Sequence, residues 1–201
     1  MTATIVQRLR DAAAALPAQG VSMQSLARAH GPDSHATLLL LMAVPCVLPV
    51  PGVGTVLGLG MLALAADLWR GGGDACLPPR VATLQLPRRW AERVLLCLAS
   101  AYAVAGRCTR VRLGRLVAAG RPPWLSAVVA AMAFIVVLPI PFGNMLPSLA
   151  VALIGLGLVV RDGLAVLLGL IVAGVALVGT IGLGAIGALW GLEWLLQALP
   201  L

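Results

Sequence analysis

Four apolar runs, grouped in two pairs, set the hydrophobic pattern of the chain. Residues 36–51 and 53–69 form the first pair, and residues 125–141 and 144–160 the second. The runs of each pair meet at a proline-broken phrase. It reads Leu48-Pro49-Val50-Pro51-Gly52 in the first pair and Leu138-Pro139-Ile140-Pro141-Phe142-Gly143-Asn144 in the second, 90 residues later. Each unit closes on an arginine near a glycine, as Arg70-Gly71-Gly72 and as Arg161-Asp162-Gly163. Runs of 16 or 17 residues make helices of about 24–26 Å at roughly 1.5 Å per residue. A hydrocarbon core of about 30 Å asks for about 20 residues. The pairs are therefore either thin, tilted hairpins or re-entrant pairs whose tips stay inside the membrane. Re-entrance is the preferred reading, because proline lacks an N–H and disfavours helix in the residue before it. Such breaks survive at depth only inside protein or beside a wet cavity.

The flanks fit this division. Trp69 precedes Arg70 and Trp124 follows Arg121, and indole rings favour the headgroup level. The chain then divides into an amphipathic N-terminal segment (1–35), a first membrane unit (36–73), a basic linker (74–121), a second membrane unit (122–163) and a C-terminal membrane segment (164–201). Residues 164–192 are apolar, long enough for one tilted span or for two short helices hinged near residues 179–184. Gly169, Gly174, Gly179, Gly182, Gly184 and Gly187 punctuate them. Small residues allow close helix approach in lipid, which favours internal packing or a homodimer over a plain anchor.

Two regions read as amphipathic. Residues 3–16 place Ile5, Val6, Leu9, Ala12, Ala13 and Leu16 near one face, and a second helix begins at Ser22 or Ser25. Residues 90–117 alternate arginines with apolar residues, as in Arg110-Val111-Arg112-Leu113. This helix either lies on the membrane surface and binds anionic headgroups, or packs as a cytoplasmic helix against the membrane units.

Composition places the chain firmly outside soluble domains. It is 61% hydrophobic and 10% charged, with a mean hydropathy of +1.03. The expected class is an all-α integral membrane protein of two related helical units. No apolar core of a cleaved signal peptide is expected before Ala36. All 14 basic residues are arginine, and nine of them fall from Arg80 to Arg121. The net charge of +7 fits membrane topology better than nucleic acid. The positive-inside rule puts the linker in the cytoplasm, and Arg8, Arg10 and Arg28 put the N-terminus on the same side.

Site chemistry is sparse. Cys46, Cys76, Cys97 and Cys108 have no metal-ligand spacing and read as small core residues. His30 and His35 read as loop and helix-start residues. No nucleophile–base set or paired carboxylates stand out among the seven acidic residues, so neither an enzyme nor a cofactor is expected. The candidate binding residues are those of the breaks: Pro49, Pro51 and Gly52 in the first, and Pro139, Pro141, Phe142, Gly143 and Asn144 in the second. Arg161 and Asp162 join them as polar residues at a segment end. Asn144 reads as a cap for the following helix or a partner for freed backbone groups. Asp67, three residues before Arg70, and Asp162 read as pairing or capping residues.

The residues from Val137 to Ala150, with Gly155-Leu156-Gly157-Leu158 and Arg161-Asp162-Gly163, resemble the signature of the ExoD family. The similarity extends to Ala43-Val44-Pro45-Cys46 and the first break, and to the lead from Ser25 to His35, covering about residues 22–190. Cys46 stands where that pattern leads us to expect a small polar residue such as asparagine. The resemblance implies a bacterial inner-membrane protein supporting exopolysaccharide synthesis or export, without catalytic residues to carry over. Polysaccharide, or the proteins that assemble it, are the implied partners. The breaks offer two mechanisms: they bind polysaccharide or a lipid-linked or anionic intermediate, or they form a small transporter for an ion or anionic solute.

Overall fold

The computed structural model describes residues 2–17, 20–30, 35–48, 53–71, 78–108, 123–138 and 143–198. Pro49, Pro51, Gly52, Pro139, Pro141 and Phe142 lie outside them, as do Cys76 and the arginines at 110, 112 and 115. In chain order the elements are α1 (Thr2–Ala14), β1 (Val21–Ser22), α2 (Met23–His30), α3 (His35–Val47), α4 (Val53–Trp69), α5 (Pro79–Ala82), β2 (Gln85–Leu86), α6 (Arg88–Cys108), α7 (Pro123–Val137), α8 (Met145–Val160) and α9 (Gly163–Ala198). The four apolar runs thus become α3, α4, α7 and α8.

The chain is nearly all helical, with one correction to the all-α expectation. Val21–Ser22 pairs antiparallel with Gln85–Leu86, Val21 opposite Leu86. Both of those side chains are buried, so the short ribbon ties the N-terminal segment to the linker through an apolar contact. Ser22 starts α2, its Oγ accepting the Ser25 N–H at 3.2 Å, which satisfies one of the donors a helix start leaves free.

The amphipathic helices cover one another. On α6 the buried residues Ala91, Val94, Leu95, Leu98, Ala99 and Tyr102 recur at helical spacing. This face lies on α1, whose Leu9 and Ala13 are buried. The described part of the linker therefore packs its apolar face on protein, and Arg88, Arg89 and Arg93 stay exposed. The Arg93 guanidinium sits 4.9 Å from the centre of the Trp90 ring.

At the centre is α3. Leu38 through Ala43 are at most 1% exposed, so the helix is apolar on every side and surrounded by protein. It packs on α4 and α8, and α4 in turn packs on α7. The pairing is reciprocal: the first helix of each unit lies against the second helix of the other. Both contacts are antiparallel. A Cβ built on Gly155 of α8 would sit 3.1 Å from the Ala36 carbonyl oxygen and the Leu40 N of α3. One on Gly58 of α4 would sit 3.3 Å from the Ala133 carbonyl oxygen of α7. Glycine is what lets the backbones come this close.

One continuous helix, α9, follows, rather than two hinged ones. Gly163–Gly187 is long and apolar enough to cross a membrane, with a mean hydropathy of 2.7. It runs back along α8, Gly169 against Ile154 and Gly157 against Val166. That register brings the start of α8 level with about residue 178 of α9. Beyond that level the helix continues with residues 181–187 exposed. Nothing comes within 4 Å of a Cβ placed on Gly174, Gly179, Gly182, Gly184 or Gly187. Internal packing thus accounts for Gly169 and not for the later glycines.

Candidate functional site at the helix breaks

Reciprocal antiparallel packing brings the helix ends that flank the two breaks to the same end of the bundle. Helix α3 ends at Val47 and α7 at Val137, whereas α4 begins at Val53 and α8 at Met145. A Cβ built on Gly54 would lie 2.9 Å from Asn144 Nδ2 and 3.8 Å from the Val136 carbonyl oxygen. The first turn of α4, just past the first break, therefore runs close against the residue that closes the second. Close by, the Cys46 thiol at the end of α3 approaches the Ser148 side chain of α8, without the geometry of a hydrogen bond to it.

The polar complement of this junction is incomplete. Ser148 is fully buried, and its Oγ has no hydrogen-bond partner. Asn144 Oδ1 is also buried and unpartnered. The expected capping role of Asn144 is not what the structure holds. Asn144 precedes α8 with φ −78° and ψ −17°, already helical, and its side chain makes no capping bond. A capping residue needs an extended backbone to swing its side chain onto the first N–H groups. Only its carbonyl contributes, accepting the Ser148 N–H at 3.1 Å.

The prolines add to the deficit by simple register. An α-helix pairs each carbonyl with the N–H four residues on. Pro49 and Pro51 stand four residues after Pro45 and Val47, and Pro139 and Pro141 four after Ile135 and Val137. None of these carbonyls can make its α-helical bond. Ile135 accepts instead from Leu138 N at 3.1 Å. No charged residue lies between His35 and Asp67 or between Arg121 and Arg161, so these two helix pairs bring only neutral polar atoms and helix termini to this end.

The remaining candidates stand at the opposite end. Arg161 ends α8 in the left-handed region with φ 56° and is exposed. Asp162 N donates to the Gly157 carbonyl at 2.8 Å, and Asp162 Oδ1 accepts the Leu164 N–H at 2.9 Å. Asp162 is therefore the N-cap of α9. At that end too, His35 Nε2 lies 2.7 Å from Asp67 Oδ2, clasping the start of α3 to the last turn of α4. The sequence neighbour Arg70 is not the partner of Asp67; the buried histidine is. Neither Ser148 nor Cys46 was in the candidate set. The available signal was a serine one turn into an apolar run, where a polar side chain needs a reason.

A family model described as exopolysaccharide synthesis, ExoD, matches residues 5–182. The chain belongs to the ExoD family. No curated protein and no solved structure matches it. The family ties the chain to exopolysaccharide synthesis and to the membrane, in agreement with the one helix among the described residues that is able to span. Family membership covers both breaks and α9 as far as residue 182.

Proposed function

We propose that the chain serves exopolysaccharide synthesis as a non-catalytic, multi-pass protein of the bacterial inner membrane, holding a polar group of polysaccharide or of a lipid-linked intermediate where its two breaks meet. The approach of Asn144 to Gly54 carries this reading. It joins two helix starts, each with N–H groups that have no intrahelical acceptor, to side-chain oxygens that are buried and unpartnered. Unpaired buried polar groups cost about 1–3 kcal/mol each, so two of them at one junction call for a reason, and a bound polar group supplies one.

The α3–α4 and α7–α8 pairs act as re-entrant hairpins, two parallel copies entering from the cytoplasmic side with the basic linker. Helix α9 gives the scale for this. The start of α8 stands level with about residue 178, roughly 22 Å from the start of α9, short of a core of about 30 Å. The exposed small residues of α9 beyond the tips suit a second copy of the chain.

Complementation tests the reading. In cells lacking the protein, Asn144→Leu and Ser148→Ala are expected to reach wild-type membrane levels and to restore little exopolysaccharide. Wild-type output from both variants would reject the junction as the working site.

A further inference from the structure

Through α5 the linker returns to the first membrane pair, and a glycine makes the return possible. Val81 of α5 is 1% exposed. A Cβ built on Gly60 of α4 would meet the Val81 Cγ2 at 2.5 Å and the Met42 Sδ of α3 at 2.9 Å, so any side chain at position 60 would push Val81 out. Gly60 stands nine residues before Trp69, about 14 Å back along α4. The segment that carries Arg80 is therefore held beside the middle of an apolar helix and not at its end. Thr83 Oγ1 donates to the Pro79 carbonyl at 3.1 Å, and the Leu84 carbonyl accepts the Met23 N–H at 3.0 Å, which fixes the segment in place. Between it and α4 lies a half-open cavity of about 760 Å³. Val56, Leu59 and Gly60 form one wall, and Leu84, Arg80 and Gln85 stand on the other.

Two features of this groove select its occupant. Leu59 is 51% exposed, so the apolar wall is open, and in a bilayer such a wall takes hydrocarbon. Arg80 is exposed, and among the described residues no carboxylate pairs with it. Beside the middle of a membrane helix a cation is costly unless an anion comes with it. An amphiphile meets both demands, its chain along Val56 and Leu59 and its anionic head on Arg80, with the Gln85 amide as a second donor. Charge then chooses among lipids. One guanidinium matches the single negative charge of a phosphodiester. A pyrophosphate-linked sugar carrier brings at least two charges and leaves one unbalanced, and a zwitterionic lipid sets a cation of its own near Arg80.

We propose that the groove between α4 and α5 holds one anionic phospholipid of the membrane, its phosphodiester on Arg80 and an acyl chain along Val56 and Leu59. This rests on the reading of α3 and α4 as a membrane pair, and it adds a lipid site formed by other residues than those of the break junction.

Native mass spectrometry of the full chain, released from detergent with phosphatidylglycerol, phosphatidylcholine or undecaprenyl pyrophosphate, tests the inference. We expect one phosphatidylglycerol per chain, bound about tenfold more tightly than phosphatidylcholine. Arg80→Gln should bring phosphatidylglycerol down to the level of phosphatidylcholine. Leu59→Trp, which fills the groove, should weaken both lipids about tenfold. Arg88→Gln, at the exposed start of α6 and outside the groove lining, should change neither. All three variants alter exposed side chains, and an unchanged unfolding temperature certifies their fold. Equal binding of the two phospholipids overturns the inference, as does an equal loss in Arg80→Gln and Arg88→Gln, which would make the preference a general effect of surface charge. Tighter binding of the pyrophosphate carrier overturns it too, and so does a dimer that binds no lipid and that Leu59→Trp dissociates. If wild-type protein binds no phospholipid while Asn144→Leu and Ser148→Ala lose polysaccharide output, this inference fails and the functional reading stands. The reverse pair of results keeps the groove and rejects the junction.

Discussion

Ser148 and Gly54 show how single residues separate stability from function at the break junction. The Ser148 hydroxyl is buried without a partner, so the folded state carries its desolvation cost with nothing in return. Ser148→Ala is expected to leave stability unchanged or raise it by about 1 kcal/mol, read by thermal unfolding in detergent, while polysaccharide output falls. Marked destabilisation would mean that the hydroxyl is satisfied. A Cβ on Gly54 would meet the far end of the Asn144 side chain at 2.9 Å, a group that can swing aside. Gly54→Ala should therefore cost under about 1 kcal/mol while displacing Asn144 and reducing polysaccharide output. The His35–Asp67 clasp behaves differently. Removing the buried imidazole with His35→Ala loses both packing and a hydrogen bond, and a cost of about 1–3 kcal/mol is expected.

Helix α9 carries the contrast at the scale of an element, because its first half is packed and its second half is not. A Cβ on Gly157, across the turn from it, would meet Val166 N at 2.7 Å and the Asp162 carbonyl oxygen at 2.9 Å. Backbone cannot yield as a side-chain tip does. Gly157→Ala is expected to destabilise by about 1–3 kcal/mol. A Cβ on Gly182 would meet nothing within 4 Å, so in a monomer Gly182→Ala should be neutral or stabilising by up to about 1 kcal/mol. Parallel unfolding measurements on the two variants check this, and a loss at Gly182 would reveal a partner on that face. Asp162→Ala removes the N-cap of α9 and should cost about 1 kcal/mol, with Asp162→Asn close to wild type.

For the whole molecule, the depth of the tips is the measurable quantity. Spin labels at exposed positions 69, 146 and 189, with oxygen and nickel-chelate accessibility in bilayers, should give a ladder. Position 146 is expected deepest in the hydrocarbon, with 69 and 189 towards opposite interfaces. A label at 146 in the far headgroups would make the pairs spanning hairpins instead of re-entrant ones. Much of this arrangement was legible in the chain. The runs at 53–69 and 144–160 match α4 and α8 closely, and residues 3–16 carry the face that α1 buries, because apolar periodicity and proline punctuation act locally. The partner of Asp67 was not legible: Arg70 is its neighbour in sequence, but His35 reaches it only through the α3–α4 contact. Nor was the state of Asn144, whose capping role depended on a backbone angle that the turn before α8 decides.

The sequence by itself determined the class, the four short apolar helices and the place of the breaks, since each follows from hydropathy, run length and the missing N–H of proline. It also carried the family, through a phrase long enough to be specific. Only the tertiary structure decided that the first helix of each unit lies against the second helix of the other. That pairing sets Gly54 against Asn144 and Cys46 beside Ser148, and it sends Arg161 and Asp162 to the far end. The physical reason is that close packing of glycine-bearing faces depends on shape complementarity between segments about a hundred residues apart, and no local pattern records which faces will fit.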